Sequence, residues 1–186
     1  MKYFFFAIAM LTLTLSCQKD ESPAPTGNNV LHYDGDNFSG PLLAPGIHEL
    51  AVRFPAADLA AHKGKRIQAV SFFAGNNPAD CKVRIYGQGT ATQPGSSLYQ
   101  ATVTNDLNTP AWNTHTIGPD LTIGDEDLWV SVQVQHPAEQ QSIGCDAGPR
   151  KNDGDWLFLS TDGDWKTFEE RTGQSVNWNI RLVLEE

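Results

Sequence analysis

The chain has 186 residues, 40% of them apolar and 19% charged, which suits one ordinary domain with its own core and excludes a disordered polymer. Its formal net charge of −9 argues against nucleic-acid binding, which needs a basic face to displace phosphate counterions. An acidic surface also gains nothing from an anionic bilayer, so attachment to a membrane has to be covalent.

Lys2 and the apolar stretch from Phe4 to Leu15 read as the charged start and hydrophobic centre of a signal peptide. The stretch is too short to span a hydrocarbon layer of roughly 30 Å as a helix. Thr14-Leu15-Ser16-Cys17 resembles a bacterial lipobox, with Thr14 where a branched aliphatic residue is preferred. That resemblance implies cleavage after Ser16 and acylation of Cys17, and two or three acyl chains anchor durably where one is marginal. A secretory signal with an incidental cysteine is the alternative. Gln18-Lys19-Asp20-Glu21 resembles the lysine-plus-acidic signal that sends Bacteroidetes lipoproteins to the outer face of the outer membrane; the alternative is an ordinary charged tether. Ser22, Pro23, Pro25 and Gly27 mark a flexible linker. The expected organisation is a signal peptide over 1–16, a lipidated cysteine and linker over 17–28, and a folded domain over 29–186.

From Asn29 onward, short apolar runs alternate with Gly, Pro, Asn and Asp, without a sustained helical period or an internal repeat. Leu50, Val52 and Phe54 share one face of a strand. Next comes Pro55-Ala56-Ala57-Asp58-Leu59-Ala60-Ala61-His62, rich in helix formers behind a proline, which predicts one short helix. Cys81, Val83 and Ile85 alternate with Lys82, Arg84 and Tyr86, and Leu128, Val130, Val132 and Val134 alternate with Trp129, Ser131, Gln133 and Gln135. Val176, Trp178, Ile180, Leu182 and Leu184 face one way, Asn177, Asn179, Arg181 and Glu185 the other. Weaker strand signals lie at 30–34, 66–73, 97–103, 112–117 and 156–160. Period two with one apolar face is the pattern of antiparallel sheets packed on one side. About nine short strands separated by turns predict an all-β, jelly-roll-like antiparallel sandwich with one short helix.

With Cys17 assigned to lipid, Cys81 and Cys145 form an even pair in an oxidising compartment, which predicts a disulfide. A nucleophilic Cys145 with His136 as base is the catalytic alternative, but it lacks a recognised local signature. Three Asp-Gly-Asp triplets stand out: Asp34-Gly35-Asp36, Asp153-Gly154-Asp155 and Asp162-Gly163-Asp164. Asp-Gly is a favoured turn dipeptide. The functional reading is a calcium site built from Asp34, Asp36, Asp153, Asp155, Asp162 and Asp164, since calcium takes several hard oxygen ligands from loops. The five histidines have no metal-ligand spacing. Of the five tryptophans, Trp178 lies on an apolar strand face and reads as core, whereas Trp129 faces opposite its valines and Trp165 follows a turn. Those two are the candidates for stacking on a sugar ring, with core packing as the alternative.

Leu31-His32-Tyr33-Asp34, Arg53-Phe54-Pro55 with Leu59-Ala60-Ala61, Asp127-Leu128-Trp129-Val130, Cys145-Asp146-Ala147-Gly148-Pro149, Gly154-Asp155-Trp156 and Asn177-Trp178-Asn179-Ile180-Arg181 follow one another across the domain. In that order they resemble a β-sandwich module of secreted and surface proteins of Bacteroidetes, which accompanies peptidases and is akin to gingipain-type adhesin domains. The resemblance implies a non-catalytic accessory or adhesive role, and its isolation behind a lipid anchor favours direct binding at the cell surface. The expected partner is an extracellular glycan or an envelope protein. A structural component of a cell-envelope complex is the second reading, and a small glycan-active hydrolase using two carboxylates the third.

Overall fold

The structure is a computed structural model that describes residues 23–118 and 120–186. The expected signal peptide, Cys17 and the start of the linker lie outside the described residues. Ten strands form: β1 (Val30–Leu31), β2 (Gly46–Phe54), β3 (Ile67–Ala74), β4 (Asp80–Tyr86), β5 (Ser97–Thr102), β6 (Ala111–Thr116), β7 (Leu128–His136), β8 (Trp156–Leu159), β9 (Trp165–Thr167) and β10 (Ile180–Leu184). They make two sheets with every pairing antiparallel, ordered β1-β10-β3-β6 and β5-β4-β7-β2-β8-β9. The all-β sandwich read from the alternation is therefore what the chain forms.

The core lies where the two apolar faces meet. Leu50, Val52, Val83, Ile85, Val130 and Val132 of the larger sheet pack against Val70, Phe72, Ile180 and Leu182 of the smaller one, all essentially without exposure. Each such side chain contributes about 1.5–3 kcal/mol of burial. Trp178 belongs to this core, as its strand face implies.

The expected helix is α1 (Ala56–Leu59), opened by Pro55 and continued by a 3-10 turn over Ala60–His62. A second helix, α2 (Phe168–Thr172), goes beyond the sequence reading. A capping box forms it: the Glu170 amide donates to the Thr167 hydroxyl at 3.1 Å and the Thr167 amide donates to the Glu170 carboxylate at 2.9 Å. Gly173, at φ 75°, closes its other end in the left-handed conformation that glycine takes without steric cost.

The alternation over 176–185 puts Asn177, Asn179 and Arg181 on the face opposite the apolar one, yet all three are buried. Arg181 projects from the outer face of the four-stranded sheet and is covered there. Its Nε donates to both carboxylate oxygens of Asp34 at 3.1 Å, and its Nη2 donates to Oδ2 at 2.8 Å. Its Nη1 donates to the carbonyl of Pro25 at 2.8 Å, and the guanidinium lies 4.5 Å from the centre of the Trp112 ring. Asn179 adds a hydrogen bond to Asp34 at 2.8 Å. Burial alone would raise the Asp34 carboxyl, but hydrogen bonds from His32, Arg181 and Asn179 outweigh it and hold the group below the usual carboxylate range.

The expected Cys81–Cys145 disulfide is not formed; both are free, buried thiols. Cys81 is fixed opposite Val134 in the β4–β7 ladder, while Cys145 bridges Ser39 and Trp178 in a different part of the backbone. Burial leads the rise in both thiol pKa values, to about 12 for Cys81 and about 11 for Cys145, which keeps them protonated and unreactive as nucleophiles. His136, the base in the catalytic alternative, is instead hydrogen-bonded through Nε2 to Ser142 Oγ at 2.7 Å and lies edge-on to His48, with ring centres 5.2 Å apart.

Two predictions follow from these buried groups. Arg181→Met leaves the Asp34 carboxylate buried without its cation and should cost about 3–5 kcal/mol in urea unfolding, whereas a loss below about 1 kcal/mol would show the pair to be peripheral. The second concerns His136, whose pKa is lowered first by burial and then by the neighbouring His48. The unfolded chain takes up that proton near pH 6.5 and the folded chain only at lower pH. This contribution to stability is therefore complete above pH ~6.5 and is lost as pH falls through the folded value. Unfolding midpoints should drop between neutral and mildly acidic buffer, and His136→Gln should narrow that drop.

Candidate binding face

On the outer face of the six-stranded sheet, strand register sets side chains in rows. One row runs Thr102, Lys82, Gln133, Glu49, Phe158, Trp165 across β5, β4, β7, β2, β8 and β9. The next runs Gln100, Arg84, Ser131, Ala51, Trp156, Thr167. Beside it, Tyr86, Trp129 and Arg53 are neighbours on β4, β7 and β2.

Glu49 lies near the middle of this surface and is buried by its own partners. Its Oε1 accepts from the Tyr86 hydroxyl and the Ser131 hydroxyl, each at 2.5 Å. Its Oε2 accepts from Arg84 Nη1 at 3.1 Å and Gln133 Nε2 at 3.0 Å. A buried carboxylate is tolerated when its lone pairs are filled in this way. Burial first, and then the Glu49 charge, push the Tyr86 hydroxyl well above the usual phenol range, so it remains a donor. Arg84 lies over the Tyr86 ring at 4.9 Å, which fixes the guanidinium from a second side.

The tryptophans form the other half of the face. Trp129 and Trp156 are 5.3 Å apart between ring centres, Trp129 and Trp165 5.8 Å, and Phe158 and Trp165 5.7 Å. With Ala51 and Tyr86 they make a second, smaller apolar cluster outside the main core. The structure thus brings Trp129 and Trp165 together, but their roles differ. Trp129 is 0% exposed, so it is not the open stacking platform expected of it; Trp156 and Trp165 pack against it. Trp165 and Phe158 remain half-exposed at the β8–β9 end.

Glu49, Arg84, Tyr86, Gln133, Trp156 and Phe158 escaped the sequence reading. Glu49 carries a faint signal, as a charged residue out of phase with Leu50 and Val52, but its donors come from two other strands.

The six candidate calcium ligands are not gathered. Asp34 is taken by Arg181, and Asp36 is exposed. Asp153 accepts two hydrogen bonds from Arg53 at 3.1 Å, and Asp155 accepts one from Arg150 at 2.6 Å. Asp162 pairs with Arg171 at 2.6 Å and Asp164 with Lys166 at 3.7 Å. Among the described residues no group of three or more His, Cys, Asp or Glu side chains could hold a metal ion. The third triplet does form the turn read for it, joining β8 to β9 with Gly163 at φ 70°.

No protein-family model and no curated protein matches the chain. Two solved structures share its fold. One is the clostridial cysteine protease Cwp84 after propeptide cleavage, with a TM-score of 0.58 at 10% identity over 86% of this chain and 41% of that one. The other holds the cysteine protease and lectin-like domains of Cwp84, a surface layer associated protein of Clostridium difficile, with a TM-score of 0.54 at 9% identity over 75% of this chain and 32% of that one. This chain thus spans less than half the length of either, and at such identity the likeness is one of fold.

The packing separates the two tryptophans experimentally. Trp129→Ala should cost about 3–5 kcal/mol in denaturant unfolding, as a large truncation in a filled site. Trp165→Ala, at the half-exposed rim, should cost clearly less; equal costs would mean that the cluster is a core without a free surface.

Proposed function

We propose that this chain is a non-catalytic, lipid-anchored surface protein that binds an extracellular glycan across the outer face of its six-stranded sheet. Its expected address is the outer membrane, facing outward, in keeping with the resemblance of its N-terminus and domain to Bacteroidetes surface lipoproteins. The observation that carries the reading is the composition of that face: a Phe158–Trp165 shelf beside a fixed row of hydrogen-bonding groups. Aromatic faces take the C–H side of a sugar ring, and neighbouring polar groups take its hydroxyls. Glu49 holds Arg84 and Gln133 in place before any ligand arrives, which lowers the ordering cost of binding.

Charge supports a neutral ligand. Arg84 is paired with Glu49, Lys82 with Asp80, Arg53 with Asp127 and Asp153, and Lys166 with Asp164. The cations of this face are therefore all matched by carboxylates, so it offers donors and acceptors without a free positive charge to draw an anionic ligand. The fold likeness to a protein whose solved structure includes a lectin-like domain is compatible with this reading.

A structural role within a cell-envelope complex is the second reading, favoured by one observation. Phe38 is 75% exposed and Leu42 60% exposed on the same loop, an apolar surface better suited to a protein contact than to a sugar.

A glycan array probed with the full chain, with calcium and with chelator, tests the first reading. Saturable binding to a neutral polysaccharide should be weakened about tenfold or more by Trp165→Ala or Phe158→Ala, and chelator should leave it unchanged. A blank array, together with an envelope protein crosslinked through the Phe38 loop, would replace this reading with the second.

A further inference from the structure

On the flank of the sandwich, away from the outer face of the six-stranded sheet, the loop after β5 and the edge strand β6 enclose a cavity of about 280 Å³. Phe72, Val103 and Leu107 supply its apolar lining, and Trp112, Asp106, Asn108, Thr114 and His115 its remaining wall. We propose that this cavity is a second binding site, shaped for a single neutral sugar unit such as the end of a glycan chain.

One polar side chain of the cavity, His115, is held in position by another residue yet has unused bonding capacity, and the side chains of Asp106 and Asn108 stand exposed at the rim on backbone that is itself fixed. Asn113, buried on β6, grips the backbone of Asn108: the Asn108 amide donates to its Oδ1 at 2.7 Å, and its Nδ2 donates to the Asn108 carbonyl at 2.9 Å. The Asn108 side chain itself forms no hydrogen bond among the described residues. His115 is held through Nε2 by the Tyr99 hydroxyl at 2.7 Å, and its Nδ1 forms no hydrogen bond among the described residues. Asp106 closes a turn through its amide, 3.0 Å from the Val103 carbonyl; its exposed carboxylate accepts no hydrogen bond among the described residues and acts electrostatically on His115. An imidazole ordered by its neighbour but not satisfied by it is preorganised for a ligand, and the two rim side chains are free to close on that ligand.

The chemistry of the wall selects the ligand. A carboxylate acceptor, an amide and an imidazole nitrogen surround an apolar floor, and hydroxyl groups serve all three because each both donates and accepts. Phe72 and Leu107 offer apolar surface to the C–H groups of the ring. Asp106 carries a negative charge into the wall, and no lysine or arginine lines it, so carboxylate and phosphate ligands are disfavoured. The volume lies just below the range of about 300–1,000 Å³ typical for drug-sized ligands, which fits one sugar ring and excludes an extended chain.

Titration of the ¹⁵N-labelled full chain with glucose, galactose, mannose and N-acetylglucosamine tests the site, with glucuronate as the anionic probe. At least one neutral sugar should give saturable shifts at Asn108, Trp112 and His115, while glucuronate binds more weakly. Asp106→Asn and Asn108→Ala, both at exposed rim positions, should each weaken that binding about tenfold, and Phe158→Ala should leave it unchanged. Failure of every neutral sugar to saturate at concentrations on the order of 100 mM would overturn the proposal. So would glucuronate binding as tightly as a neutral sugar, or binding that survives the two rim substitutions combined. Because the rim and the outer face carry different residues, loss of one site leaves the other to be judged separately.

Discussion

The structure depends on the burial of one arginine. Arg181 leaves a strand whose opposite face fills the main core, and on its own side it joins four stretches of chain: β10, the 34–35 loop, Pro25 and Trp112 of β6. Removing a guanidinium and a carboxylate from water is expensive, and the expense is offset only when the hydrogen bonds around both are nearly complete. Here they are, because Asp34 is bonded from three sides by His32, Asn179 and Arg181. The arrangement turns what would be a solvent face of the smaller sheet into a sealed layer, and it ties the segment before β1 to the body of the domain.

The same device recurs wherever the acidic triplets fall. Each Asp-Gly-Asp delivers a carboxylate to an arginine: Asp34 to Arg181, Asp153 to Arg53 and Asp155 to Arg150, Asp162 to Arg171. A chain with 22 acidic and 13 basic residues keeps a surplus of negative charge, yet the arginines at these turns are matched. Partly buried pairs of this kind place loops with more directional precision than hydrophobic contact does. These ion pairs order the turns without any group of three or more His, Cys, Asp or Glu side chains that could hold a metal among the described residues.

What the sequence disclosed and what it hid divide along the range of the interactions. Alternation in β2, β4 and β7 is a local signal, and it identified the core faces and the sandwich. β9 has three residues, too few for alternation to register, and the helix after it rests on Thr167 and Glu170, a capping box that is readable only when sought. Trp129 shows the deeper limit. Its position in β7 correctly points away from the valines, but facing out of a sheet is not the same as facing water. Trp156 and Trp165 cover it, and they arrive from strands joined through β2, a pairing that a single sequence does not display. Glu49 was hidden for the same reason, since its donors belong to β4 and β7.

Geometry then links the sealed sheet to the open one. Pro25, close to the start of the described chain, is bound on the outer side of the four-stranded sheet through Arg181. The face bearing Glu49, Phe158 and Trp165 lies on the other side of the sandwich, beyond the core. Under the proposed anchor at Cys17, seven residues separate the lipidated cysteine from Pro25, a reach of at most about 3.6 Å per residue. On that anchor the domain would hang by its Arg181 side, which would leave the aromatic shelf facing away from the bilayer, where the proposed glycan could reach it.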